Sequence, residues 1–156
     1  MSLFKSIIKE LSELMEFNIE VDSNDCCFLE FGNLIITLQY RQSQDDIAIF
    51  SVVTDPEKIS SLSESVLRAA LSLSYNGTGT GMNFIGLLNE NLVLTNYIPI
   101  EGITAEELLQ RIYTFSQSAQ NVHDSLIVMS NPNLKNKSSA NSVSENDLDP
   151  MNFMSV

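Results

Sequence analysis

Apolar residues recur along this chain with two periods. From Ser2 to Phe17, Leu3, Phe4, Ile7, Ile8, Leu11, Leu14 and Met15 share one side at helical spacing, with Lys5, Ser6, Lys9, Glu10, Ser12, Glu13 and Glu16 mostly opposite. Asn18 to Asp25 is a polar connector. Three strand-like runs follow. Cys26 to Phe31 stops at Gly32-Asn33, a hairpin signal. Leu34 to Tyr40 alternates, with Leu34, Ile36, Leu38 and Tyr40 on one face and Ile35, Thr37 and Gln39 on the other. After the polar turn from Arg41 to Asp46, Ile47 to Val53 is again strand-like. Consecutive strands with short turns predict an antiparallel meander, one face of which can stay wet. That second face would carry Cys26, Phe28, Ile35 and either Phe50 or Ile49, more apolar surface than a solvated face usually shows.

Asp55-Pro56 ends the sheet run. A helix is predicted from Leu62 to Tyr75, capped by Ser60 or Ser61, with Glu64 placed to complete a capping box. On a wheel, Ala69, Leu62, Leu73, Val66, Ala70, Leu67 and Leu71 span an arc of roughly 200°, whereas a helix lying on one sheet needs only about 100°. The polar remainder (Ser61, Ser65, Arg68, Ser72) is narrow. This helix therefore has two apolar surfaces to cover, and a second copy of the chain is the simplest cover for the outer one. Ala69 and Ala70 are small enough to let two backbones approach.

The turn Asn76-Gly77-Thr78-Gly79-Thr80-Gly81 leads into strands from Met82 to Leu88 and from Leu92 to Ile98, separated by Asn89-Glu90-Asn91. Pro99 stops ladder pairing. Thr104-Ala105-Glu106-Glu107 is a capping box with its acids at the positive end of the helix dipole. The last helix runs from Ala105 to about Val128, its apolar face made by Leu108, Leu109, Ile112, Phe115, Ala119, Val122 and Leu126, and Asn131-Pro132 ends it. The order α-β-β-β-α-β-β-α with hairpin connections predicts an α+β fold, an antiparallel twisted sheet with helices. The expected division is a folded domain over residues 1–129 and a disordered polar tail over 130–156. The tail ends in a small apolar tip, Met151, Phe153 and Met154.

Composition narrows the function. Eight Lys plus Arg against twenty Asp plus Glu give a net charge of −12. Such a surface repels nucleic acid and anionic membrane, which need clustered basic residues, and suits solubility or a basic or polar protein partner. No apolar run approaches the ~20 residues of a membrane helix. Glu10, Glu13 and Glu16 interrupt any signal-peptide core, so the expected location is the cytoplasm. Cys26 and Cys27 are adjacent, match no redox or zinc spacing, and read as strand packing residues.

Catalytic chemistry finds little support. Gly77-x-Gly79-x-Gly81 lacks the Lys-Ser/Thr of a phosphate loop and runs from helix to strand, opposite to the dinucleotide fingerprint. The glycines instead permit positive φ and a sharp reversal. His123-Asp124-Ser125 contains triad residue types, but neighbours on a helix do not face one another. His123, the one histidine, reads as a packing residue near the end of the last helix. The acids form no pair placed for acid–base work. No catalytic residue, cofactor or metal is assigned, and the protein is read as not an enzyme.

Several local runs carry a family resemblance. They are Phe4…Ile7-Ile8…Leu11, Cys27-Phe28-Leu29-Glu30-Phe31 before Gly-Asn, and Leu62 to Ser74 leading into Gly-Thr-Gly. They continue with Phe84-Ile85-Gly86-Leu87 before Leu92-Val93-Leu94, and Ile98-Pro99-Ile100-Glu101-Gly102 ahead of the Glu-Glu-Leu-Leu helix. In these runs, in length and in acidity, the chain resembles the class I type III secretion chaperones, the Tir-chaperone-like family of small acidic bacterial cytosolic proteins. The long polar tail and the Cys26-Cys27 pair depart from that pattern.

The resemblance implies a non-enzymatic homodimer built around the second helix and the strand after it, with Leu67, Ala70, Leu71 and Phe84 as candidate interface residues. It implies that the dimer binds the N-terminal region of one or more secreted effectors in extended form and keeps them soluble and secretion-competent, with the secretion ATPase as a further partner. An extended client lays alternate side chains into pockets and bonds to a sheet edge. Phe4, Ile8, Phe28, Ile35 and Phe50 are the candidate client-binding residues. The alternative is a small α+β domain that binds an apolar ligand or acts as a general protein-binding adaptor. A hydrolase using Ser125 or His123 is the remaining, least supported reading.

Overall fold

The computed structural model of the chain describes residues 2–55 and 62–131. Its elements are α1 (Leu3–Met15), β1 (Cys26–Phe31), β2 (Leu34–Arg41), β3 (Asp46–Val52), α2 (Glu64–Ser74), β4 (Phe84–Leu88), β5 (Asn91–Pro99) and α3 (Ala105–Ser130). This is the expected α+β order. Ser60, Ser61, Pro56, and the expected tail apart from Ser130 and Asn131, lie outside the described residues. The cap of α2 is Ser63, whose hydroxyl accepts from Val66 N–H. Thr104 and Glu107 form the predicted capping box at the start of α3.

The five strands form one antiparallel sheet in the order β1-β2-β3-β5-β4. The loop between β4 and β5 is two residues, not three. Leu88 pairs with Asn91, and Asn89 and Glu90 take positive φ (47° and 62°), the two-residue geometry that matches strand twist. One face of the sheet is covered. Ile36, Leu38, Ile47, Ile49, Leu94 and Ile98 are buried beneath α3, which also packs against α1 and α2. Leu108, Ile112, Phe115, Ala119, Val122 and Leu126 supply the α3 side of this core, as its periodicity requires.

Two of the expected client-binding residues belong to that core. Phe4 and Ile8 are 0% and 1% exposed, and the Phe4 ring stacks on Tyr40 at 5.7 Å between centroids. The inner stripe of α1 thus closes its own fold, which corrects their assignment to a surface. Ala70 is likewise buried within the subunit, beside Val66 and Ala69, where α2 meets α3. Its small side chain lets two helices of the same chain approach, so its assignment to an outer interface is corrected too.

The glycine turn is needed where it stands. At Gly79 an added Cβ would lie 2.7 Å from Leu73 O and 2.9 Å from Leu73 Cα, so the returning chain presses on the end of α2. Gly81 has φ +61°, and its Cβ would meet the Ser118 side chain of α3. Thus Gly81 bears out the expected positive φ, while Gly79 is required by contact.

Candidate functional site

The uncovered face of the sheet is built from alternation and register. Phe28, Thr37, Phe50, Thr95 and Phe84 pair in turn across all five strands, so their side chains form one row. On one side of this row, Cys26, Gln39, Ala48 and Tyr97 form the next; on the other, Glu30 pairs with Ile35, and Val52 with Val93 and Gly86. The register decides the open sequence question: Phe50 lies on this face, and Ile49 is in the core. Phe28 and Ile35 are 57% and 55% exposed, Val52 is exposed and Phe50 half-buried.

Two cavities open here. One, of ≈ 460 Å³, is bounded by Phe28, Ile35, Phe50 and Val52, with Asn33, Thr54 and His123 at one end. His123 is buried, its Nδ1 3.1 Å from Val53 O and its Nε2 3.4 Å from Asn33 Nδ2. In the neutral ring the carbonyl must accept from Nδ1–H, leaving Nε2 to accept from the amide. The imidazole therefore ties α3 to the end of β3 and to the β1–β2 turn. Both nitrogens are engaged by those partners, which is the geometry of a packing histidine.

The second cavity, ≈ 640 Å³, wraps the free edge of β1. Phe28, Glu30 and Ile35 line it from the open face; Met15, Phe17 and Leu29 line it from the side of α1. Phe17 was missed as a site residue because it reads as the last helical position. Glu16 instead takes φ 51°, α1 stops at Met15, and Phe17 is turned out beside the edge.

Backbone bonding shows how much of this edge is open. Asp25 O accepts from Tyr40 N, so the odd-numbered β1 residues bond to β2 and the even-numbered ones face outward. Cys26 is already satisfied: its N–H donates to Asp22 Oδ1 and its C=O accepts from Asp22 N, both at 2.8 Å. Among the described residues, that leaves the N–H and C=O groups of Phe28 and Glu30. Behind them Cys27 is fully buried, and burial pushes its thiol up to about 12, next to smaller effects of Cys26 and Asp22. It stays a neutral packing group.

A second apolar surface lies at the opposite edge. Leu71 is 73% and Phe84 60% exposed, and Leu67, Tyr75, Met82, Leu87 and Leu88 are exposed as well. Three of the four expected interface residues, Leu67, Leu71 and Phe84, stand here; the other exposed members were hidden in a turn and a strand whose neighbours only folding defines. The wide apolar arc of α2 is thus divided between Val66, Ala69 and Ala70 inside and Leu67 and Leu71 outside. Among the described residues no helix is long and apolar enough to cross a membrane, and no group of His, Cys, Asp and Glu is placed to hold a metal ion.

The sequence profile described as the Tir chaperone protein (CesT) family matches residues 6–123. None of the curated proteins compared with the chain matches it. Among solved structures, it is similar to a chain of the HopA1–SchA chaperone–effector complex (TM-score 0.65, 12% identity, covering 78% of this chain and 94% of that one). It is similar to a chain of the ExsC–ExsE complex (TM-score 0.63, 15% identity, 77% and 92% covered). A third likeness is to the Yersinia pestis type III secretion chaperone SycH in complex with a YscM2 fragment (TM-score 0.57, 12% identity, 76% and 98% covered). At these identities the likenesses show the fold.

Proposed function

The chain belongs to the Tir chaperone protein (CesT) family, and from that premise we propose that it is a dimeric, non-enzymatic cytoplasmic chaperone that holds a type III secreted effector in extended form. The observation that carries this reading is the open sheet face around Phe28, Ile35 and Phe50, continuous with a strand edge that no other strand pairs among the described residues. An extended segment can bond to such an edge and lay alternate side chains into the cavities beside it. Ordering a flexible client costs several kcal/mol, so a large apolar surface is needed to offset it.

In the same reading the exposed flank of α2 and β4 is covered by a second copy, through Leu67, Leu71 and Phe84. Residues 1–129 are the chaperone domain, and 130–156 are taken as a separate polar segment. An extended effector then lies on β1 while the copies meet at the other edge.

Co-expression with the products of flanking genes, then affinity capture and light scattering, tests the proposal. The expected result is a complex of two copies with one polypeptide client. Ile35→Asp should keep the dimer and lose most of the client; a strict monomer at micromolar concentration, or full client capture by Ile35→Asp, overturns the corresponding half. The cavity of ≈ 460 Å³ also has room for an apolar small molecule. Native mass spectrometry separates the readings: a co-purifying small molecule in place of a polypeptide favours a ligand-binding domain.

A further inference from the structure

The client-binding reading can be carried to the chemistry of the client. The open part of the β1 edge is short. Asp22 occupies Cys26, and the turn follows Phe31, so only Phe28 and Glu30 offer backbone groups. Their side chains point to the same face, two residues apart, and differ in kind. Phe28 is an exposed apolar ring. Glu30 is exposed beside Ile35, and among the described residues no cation pairs with it. Between them Leu29 points to the other side, where Met15 and Phe17 close the cavity.

A strand added to this edge must repeat that pattern, because residues directly opposite in a ladder put their side chains on the same face. The residue opposite Phe28 meets an aromatic ring. The next residue turns under the edge toward Met15 and Phe17. The residue opposite Glu30 meets a carboxylate, and a like charge there is disfavoured. Resting on the chaperone reading above, we propose that Glu30 is a specificity-determining residue that selects an extended client segment with a Lys or Arg two positions from an apolar residue and an apolar residue between them. The net charge of −12 reinforces the choice by attracting basic segments from a distance. Alternation makes the spacing strict: with a further residue inserted, the basic side chain passes to the wrong face.

The test uses fluorescein-labelled peptides with the core Ile-Val-Lys, the same core with Glu or Gln in place of Lys, and the spaced core Ile-Ser-Val-Lys, in which the residue two positions from Lys is polar and Ile has moved to the other face. Each is made in both chain directions and titrated by anisotropy against the full-length protein. In one direction the Lys core should bind about fivefold tighter than the Glu core, as a favourable pair replaced by a like-charge pair requires. The contrast should shrink in about 0.5 M salt. Glu30→Gln should bring the Lys and Glu cores within about twofold, and Glu30→Lys should reverse their order. Insertion of the extra residue should abolish the preference.

Binding that is indifferent to charge but lost in Phe28→Asp overturns the role of Glu30 and leaves the chaperone reading standing. The same conclusion follows if no peptide binds while a co-expressed effector still co-purifies. Absence of both peptide binding and a co-purifying effector overturns the two together.

Discussion

At one edge of the sheet, β1 carries Glu30, has Cys26 capped by Asp22, and lies beside a cavity that runs round to Met15 and Phe17. At the other edge, β4 reads Phe84-Ile85-Gly86-Leu87-Leu88, without a charge, next to exposed Leu71, Tyr75 and Met82. An uncharged apolar edge is a template for uncontrolled pairing unless something covers it. A charge, and a side chain that occupies part of the ladder, protect an edge while leaving a defined stretch usable. The contrast teaches that exposed apolar area alone does not identify a partner. The apolar flank, where β4 is uncharged and the exposed Glu64 and Arg68 of α2 pair with each other, suits permanent cover by an identical flank; the guarded edge, with its cavities, suits an occupant that arrives and leaves.

The sharpest way to break this division is Leu71→Asp. A charge at the centre of the proposed dimer flank should weaken self-association by about 2–4 kcal/mol, read as a halved mass in sedimentation equilibrium at micromolar concentration. Helical content should not change, because Leu71 already faces water in the subunit. A dimer of unchanged strength would move the interface elsewhere.

Gly79→Ala should cost about 1–3 kcal/mol in thermal or urea unfolding, since its Cβ would press on the Leu73 backbone. The damage should fall on the β4 edge first: loss of dimer with the peptide-binding edge retained would sharpen the comparison. Stability equal to the parent chain would show that the turn has room to shift.

Phe28→Asp acts on the other edge. It should reduce client binding about tenfold, measured by co-purification yield or anisotropy, with dimer mass unchanged. Loss of the dimer in this variant would erase the separation of the two edges.

The last effect, confined to alkaline pH, lies behind β1. Burial holds the Cys27 thiol protonated up to about 12, against 9.0 for a free thiol. Below pH 9.0 the folded and unfolded chains both keep the proton, and stability is untouched. Above it the unfolded chain releases a proton that the fold retains, so stability falls as pH rises toward 12. Cys27→Ala should remove a slope of about 1 kcal/mol per pH unit from urea melts in that window. An identical slope in both proteins would show that other groups carry the alkaline loss.

The edges differ also in how far they could be read from the chain. Leu67 and Leu71 stand out at once, because a helix converts position into direction by a fixed angle. Phe28 and Ile35 are equally plain from strand alternation. Phe4 and Ile8 mislead for the same reason: periodicity shows that they share a face, and only the packing of α1 beside α3 and Tyr40 shows that the face is inward. Phe17 and Glu30 carry no periodic mark of their own. Their importance comes from the left-handed turn at Glu16 and from the position of β1 at the end of the strand order.

By itself, the amino-acid sequence determined the kinds of element, their order and the two-sided character of α2, since these follow from local spacing and from caps such as Thr104 and Glu107. It also carried the resemblance to the family. Tertiary structure alone decided that β5 rather than β4 lies beside β3, that Phe50 joins Phe28 and Phe84 in one row, and that His123 reaches Val53 and Asn33. Those facts depend on contacts between residues far apart in the chain. A local pattern can say that a side chain must be buried or exposed, but which distant segment meets it is settled by the packing of the whole core.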